Sequence, residues 1–316
     1  MKLPRLQPAI AILVSFHFSV SAATRYVDMN STNPVVPYET WATAATNIQD
    51  AASYAVAGDT VLVTNGIYQY GGSSFNGSNR VHVAASVTVQ SVNGPAVTTI
   101  VGYQVPGTTN GNSAVRCVYL SEFSTLSGFT LTNGATQTSG SGDIGGGVLT
   151  ETSCSVSNCI IAGNVCYFQG GGAYIGAGSV ANNCIFSGNM VMNGTGGGAY
   201  GGGGGTLRGT LSGCIIISNI AGNGSGVGNC IVDNSLLTGN GFATNSAQYG
   251  GSAAYLSTLN NCTIAGNFSG GLGAANGCTL NNSIIYYNVN GLYADCYQCR
   301  LTNSCTPLGN GNSSTP

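Results

Sequence analysis

From Leu126 onward the chain repeats short runs in which apolar positions recur every two or three residues, each run closed by glycine, asparagine or serine. Leu126-Ser-Gly-Phe129-Thr-Leu131, Val156-Ser-Asn-Cys159-Ile-Ile161, Leu211-Ser-Gly-Cys214-Ile-Ile216, Leu259-Asn-Asn-Cys262-Thr-Ile264 and Leu280-Asn-Asn-Ser283-Ile-Ile285 are copies of one pattern. A helix would space its apolar residues three and four apart over ten or more positions, so these runs read as strands. With the copies around Cys184, Ser235 and Ser304, the anchors stand at 129, 159, 184, 214, 235, 262, 283 and 304, separated by 30, 25, 30, 21, 27, 21 and 21 residues. The shortest period holds three short strands and three turns, one rung of a parallel β-helix, and the longer periods are rungs with a loop inserted. Rungs stack at about 4.8 Å, so roughly ten of them make a rod on the order of 50 Å long.

Two asparagine columns keep the same register. Asn158, Asn183, Asn234, Asn261, Asn282 and Asn303 stand just before an anchor, and Asn164, Asn189, Asn219, Asn240, Asn267 and Asn288 stand five residues after one. Asparagine tolerates the left-handed conformation, and stacked amides bond to those above and below, so both columns are expected to be structural turns. An open first rung would expose a strand edge and the core. The expected cover is a helix over 46–57, opened by a capping box Thr46-Asn-Ile-Gln49, carrying an apolar stripe of Ile48, Ala52, Ala55 and Val56, and stopped by Gly58. Val61 to Tyr68, Val81 to Ser91 and Thr98 to Gly102 follow as the first strands.

Composition sets the compartment and removes some partners. Lys2 and Arg5 precede an apolar run from Ala9 to Val20 and then the small residues Ser21, Ala22 and Ala23, the pattern of a signal peptide over 1–22. This divides the chain into the leader, an N-terminal cap segment 23–60 and repeats over 61–316, and predicts a secreted or cell-surface protein, including the outer-membrane surface. No later segment has the apolar length of a membrane span. Beyond the leader no lysine remains, and five arginines face nine acids, a net charge of −4. Nucleic acid, which is held by many cationic phosphate contacts, is excluded as a partner. Only 5% of the residues are charged while 50 are glycine, a composition suited to a chain that turns often. The final stretch from Cys305 to Pro316 supplies no covering helix, so a longer chain, a partner or self-association is expected to cover that end.

The twelve cysteines are columnar. Cys159, Cys184, Cys214 and Cys262 share the anchor position with Ser235, Ser283 and Ser304; Cys154, Cys230, Cys278 and Cys299 share a second column with Ser124, Ser179 and Ser257. Interchange with serine points to small size and buried free thiols, with Cys278, Cys296 and Cys299 as the most plausible pairing exceptions. No spacing resembles a metal site, the Cys296-Tyr-Gln-Cys299 pair standing alone.

The lid followed by Gly58-Asp-Thr-Val-Leu-Val-Thr-Asn-Gly-Ile-Tyr68, with rungs over nearly all the remaining chain, resembles right-handed parallel β-helix proteins of the pectate-lyase-like superfamily. The resemblance implies an all-β, right-handed solenoid with a short N-terminal capping helix. Gly170-Gly-Gly-Ala-Tyr174 and Gly196-Gly-Gly-Ala-Tyr200 are also similar to repeats of polymorphic outer-membrane autotransporter passengers. The superfamily spans lyases, hydrolases, tailspikes and adhesins, so the fold does not choose a function.

Candidate chemistry is sparse. No Asp-Asp pair occurs, and beyond the leader the lone histidine is His82. Glu122 and Glu151 fall in neighbouring columns of successive rungs and are the best carboxylate pair, with Asp143 and Arg116 flanking them; the expectation is that they are solvated turn residues and not a catalytic pair. Leu149, Tyr174, Tyr200 and Tyr255 occupy similar places before their anchors. Facing outward, the tyrosines would form a platform for sugar rings; a one-residue slip turns them inward, and core is the favoured reading of the two. The sequence therefore predicts a non-catalytic glycan-binding or adhesin-like module with no cofactor and no metal. The rival is a polysaccharide lyase or glycoside hydrolase acting on an acidic or plant or algal polysaccharide, Ca²⁺ entering only in the lyase case. A purely structural stalk or passenger fragment is the third possibility.

Overall fold

The structure, a computed structural model, describes residues 22–192, 202–241, 251–269, 272–290, 295–306 and 313–315. The leader up to Ser21, Tyr200 and most of the tail after Thr306 lie outside them. The chain is a right-handed parallel β-helix of three long sheets, every strand pairing parallel to its counterpart one rung away. Sheet 1 has 12 strands, from Thr24–Val27 and Thr60–Val63 to Arg300–Thr302 and Ser313–Thr315. Sheet 2 has nine, from Gly66–Tyr68 to Ile284–Tyr286, and sheet 3 has nine, from Asn79–Val83 to Cys296–Tyr297. One rung runs sheet 3, sheet 1, sheet 2: Val148–Thr150, Ser155–Ser157, Ile160–Ala162.

The corners explain the sequence columns. Between sheets 1 and 2 the turn is one left-handed residue followed by one that points inward. Asn158, Asn183, Asn234, Asn261, Asn282 and Asn303 have φ between +48° and +53°, and Gly128 and Gly213 take the same place in their own rungs. The residue that follows is the buried anchor, Phe129, Cys159, Cys184, Cys214, Ser235, Cys262 or Ser283. The later corners from sheet 3 to sheet 1 repeat the device, with Asn229, Gly277 or Gln298 left-handed before Cys230, Cys278 or Cys299. After sheet 2, Gly163, Gly188, Gly239 or Gly266 is left-handed and the inward residue is asparagine.

These inward asparagines form one continuous ladder. Each Nδ2 donates to the Oδ1 of the next rung at 2.8 to 3.1 Å, from Asn164 through Asn189, Asn219, Asn240, Asn267 and Asn288 to Asp295. Each also donates to a strand carbonyl, as Asn219 does to Phe186 at 2.9 Å. The amide dipoles therefore all point toward the C-terminal end, where a buried carboxylate accepts the last bond, the sign that aligned dipoles favour.

The lid is shorter than the sequence suggests. The helix is Ile48–Tyr54, and its cap is Asn47, whose Oδ1 accepts from the Asp50 N–H, rather than Thr46 with Gln49. Gln49 is buried instead and receives the His82 N–H at 2.6 Å, tying the lid to sheet 3. Val56 lies past the helix end and is 51% exposed, so Ile48, Ala51, Ala52 and Ala55 make the packed stripe. All twelve cysteines are unpaired thiols, Cys278, Cys296 and Cys299 included. Among the described residues no helix is long and apolar enough to cross a membrane.

Candidate functional site

Sheet 3 alternates in and out, as any pleated strand must. Val81, Val118, Val148, Ala173, Val227, Ala254, Ala275 and Cys296 are its inward column, all buried. Their neighbours therefore face outward: His82, Tyr119, Leu149, Tyr174, Leu207, Gly228, Tyr255, Asn276 and Tyr297, paired rung to rung in that order. Tyr174 and Tyr255 thus stand outside the inward column, which corrects the favoured sequence reading for these two, while Tyr119 and Leu149 in the same outward column are buried. Tyr174, Tyr255 and Tyr297 are half-buried, and the guanidinium of Arg208 lies over the Tyr174 ring, 5.4 Å from its centroid. The position the sequence assigned to Tyr200 belongs to Leu207, because the strand pairing with Ala173–Tyr174 is Thr206–Leu207.

The register depends on glycine. At Gly170, with φ +70°, a Cβ would come within 2.3 Å of the Ala173 carbonyl oxygen, so only glycine lets the chain turn this tightly into sheet 3.

At the N-terminal end the outward column meets a polar and aromatic cluster. Phe75 stacks on His82, with centroids 4.3 Å apart and planes at 3°, and meets Tyr119 edge-on. The Tyr119 hydroxyl donates to Glu151 Oε1 at 2.6 Å and accepts from Asn76 Nδ2 at 2.9 Å. Burial, reinforced by the Glu151 charge, pushes the Tyr119 phenol up to about 12. His82 Nε2 stands 3.0 Å from Ser121 Oγ; burial lowers its imidazole below the ordinary 6.5, against the opposing pull of Glu151, so the ring is neutral at neutral pH.

The four charged candidates separate. Glu122 and Glu151 are brought together, the Glu122 N–H donating to Glu151 Oε2 at 3.0 Å while Thr152 Oγ1 donates to Glu122 Oε1 at 3.0 Å. Arg116 is buried, 1% exposed. It donates to the Gly145 and Ile144 carbonyls, each at 2.8 Å, and to Asn79 Oδ1. Burial lowers it to about 10, which still leaves it charged at neutral pH. Burial raises Asp143, partly offset by Arg116, but the two form no ion pair; the described ion pairs are Arg25 with Glu39 and with Asp59.

This arrangement constrains the chemistry. Both Glu151 oxygens already accept hydrogen bonds, one from the Tyr119 hydroxyl and one from the Glu122 N–H. No cluster of three or more His, Cys, Asp or Glu side chains that could hold a metal occurs among the described residues. Sequence reasoning missed Phe75, Asn76, Tyr119 and Ser121 and set His82 aside. A signal did exist: Val81-His82-Val83 and Val118-Tyr119-Leu120 share the same alternation, and aligning them as neighbouring rungs puts His82 beside Tyr119.

No family model and no curated protein matches this sequence. Solved structures do match it in fold. Pectate lyase Pel9A is 13% identical with a TM-score of 0.55, the match covering 93% of this chain and 80% of that one. A rhamnogalacturonan lyase is 15% identical, TM-score 0.49, covering 92% and 84%; a polygalacturonase from Erwinia carotovora subsp. carotovora is 9% identical, TM-score 0.41, covering 96% and 97%. In fold, then, this chain is a right-handed parallel β-helix like that of pectate lyase Pel9A.

Proposed function

We propose that this chain is an exported, non-catalytic glycan-binding β-helix whose contact face is the outward column of sheet 3. The observation that carries the reading is the set of half-buried tyrosines, Tyr174, Tyr255 and Tyr297, standing outward in one register. An aromatic ring offers an apolar face to the C–H side of a sugar and a hydroxyl to its rim. Rung length varies between sheet 2 and sheet 3, where 133–147 is a long connection, whereas from Thr125–Ser127 onward the described turns from sheet 1 to sheet 2 are two residues long. Loops that carry binding are thereby gathered on the tyrosine side. The fold neighbour being named a pectate lyase agrees with a polysaccharide ligand.

Polysaccharide cleavage is the second reading, favoured by the cluster of His82, Tyr119, Ser121 and Glu151 at the end of the same column. It ranks second because Glu151 is already held by two donors. A glycan array followed by product analysis separates the two. The expected result is binding with no unsaturated and no new reducing-end products. Products made by the wild-type protein and lost in His82→Ala or Glu151→Gln would establish cleavage instead.

A further inference from the structure

A cavity of about 250 Å³ opens at the N-terminal corner, where the lid helix meets the first strand of sheet 2, away from the tyrosine column. At about 30 Å³ per water it has room for about eight waters, the scale of one sugar ring. It is lined by the apolar Met29 and Ile67, the aromatic Tyr68 and Tyr70, and the polar Thr46, Asn47 and Gln69. Ile67 is 59% and Tyr70 75% exposed, so large apolar surface is left open beside it.

The polar groups divide into committed and free. Asn47 is used as the helix cap, and the Tyr68 hydroxyl donates to the Thr64 carbonyl at 3.0 Å. The Thr46 hydroxyl, the Gln69 amide and the Tyr70 hydroxyl have no hydrogen-bond partner among the described residues. No charged side chain lines the cavity. Two carboxylates lie just behind its wall: Asp50, bonded to Asn47, and Asp28, whose charge reaches Tyr68. An anionic ligand would find no counter-charge and two repulsive ones.

We infer that this cavity is a second, independent ligand site that takes a single uncharged sugar ring, such as the end of a neutral glycan. Tyr70 and Ile67 contact the apolar face of the ring, and Thr46 and Gln69 bond its hydroxyls. An aromatic wall with a few neutral donors and acceptors is the usual chemistry of a small uncharged ligand site.

Saturation-transfer NMR on the full chain without its leader tests this. The probes are the neutral methyl glycosides of glucose, galactose, mannose, xylose and N-acetylglucosamine, with galacturonate and protonated glucosamine as charged comparators. At least one neutral glycoside is expected to receive saturation, with the signal falling about fivefold or more in Tyr70→Ala, falling also in Gln69→Ala, and staying within about twofold in Ile231→Ala, an exposed residue of sheet 1 outside both sites. Both substituted residues near the cavity are at the surface, so unchanged thermal midpoints are expected and confirm folding. The inference is overturned if no neutral glycoside receives saturation, if either charged sugar binds better, or if the signal survives Tyr70→Ala. Saturation that survives Tyr70→Ala but is lost in Tyr174→Ala belongs to the tyrosine column, so failure of this site and failure of the column give different results.

Discussion

Two residue types carry the corners of the rod, and each does so for a separate reason. The left-handed position accepts glycine or asparagine at little cost, and in every rung after Phe129 the inward anchor is a small donor, serine or cysteine. Serine and cysteine interchange there because both donate to the carbonyl two residues back: Ser235 to Asp233 at 2.7 Å, Cys262 to Asn260 at 3.3 Å. Size alone, the sequence reading, is half the explanation. Cys262→Ser is expected to keep stability within about 1 kcal/mol, whereas Cys262→Val, larger and without a donor, loses about 2 kcal/mol or more in chemical denaturation. Equal losses would show that the hydrogen bond is irrelevant. The asparagine ladder is more demanding. Asn219→Ala strands the backbone and side-chain amides of Asn189 and the Phe186 carbonyl, so a loss on the order of 3 kcal/mol is expected in the same measurement. A loss under about 1 kcal/mol would mean that water replaces the ladder.

At the scale of elements, the N-terminal cap is held by one buried carboxylate. Asp59 accepts from the Ala23 N–H at 2.7 Å, the Val56 N–H at 3.1 Å and Arg25 at 3.2 Å, joining the first strand, the lid and sheet 1. Burial alone would raise its pKa, but those donors outweigh it and hold the carboxyl below the ordinary value. A group depressed in the folded state contributes stability that is complete above its unfolded pKa, about 3.9, and is lost as pH falls toward the folded value. Wild-type thermal stability should therefore drop below about pH 4, and Asp59→Asn, already lacking the clasp at pH 7, should show a flatter profile over that range. Parallel profiles would remove Asp59 from the account. Strands and rungs were legible in the sequence because their columns repeat with nearly constant residue identity. The lid was legible to within a turn, its cap slipping one residue because Asn47 and Asp50 satisfy the same geometry as Thr46 and Gln49. The direction of the tyrosines was not legible. Ten residues separate Tyr174 from Cys184 but seven separate Tyr255 from Cys262, so counting back from the anchor does not fix which face a residue takes. The His82–Tyr119–Glu151 cluster was hidden for a related reason, since the loop bearing Phe75 and Asn76 belongs to no repeat.

At the scale of the whole molecule, the flanks of the rod differ in what they present. From Thr125–Ser127 onward the described corners between sheets 1 and 2 are two residues long, while the outward tyrosines stand on sheet 3. With a net charge of only −4 beyond the leader, Arg116 engaged by backbone carbonyls and Arg25 paired with Glu39 and Asp59, the molecule has little long-range field with which to steer an ion. Ring contact and hydroxyl exchange are the means left for recognition on that flank. The most direct measurement is isothermal titration calorimetry with a glycan identified on the array, comparing the wild-type protein with Tyr174→Ala and Tyr255→Ala at unchanged thermal midpoint. The account predicts that each substitution weakens binding by about fivefold or more, roughly 1 kcal/mol of lost ring contact. Unchanged affinity in both variants would contradict it and place the ligand elsewhere on the rod.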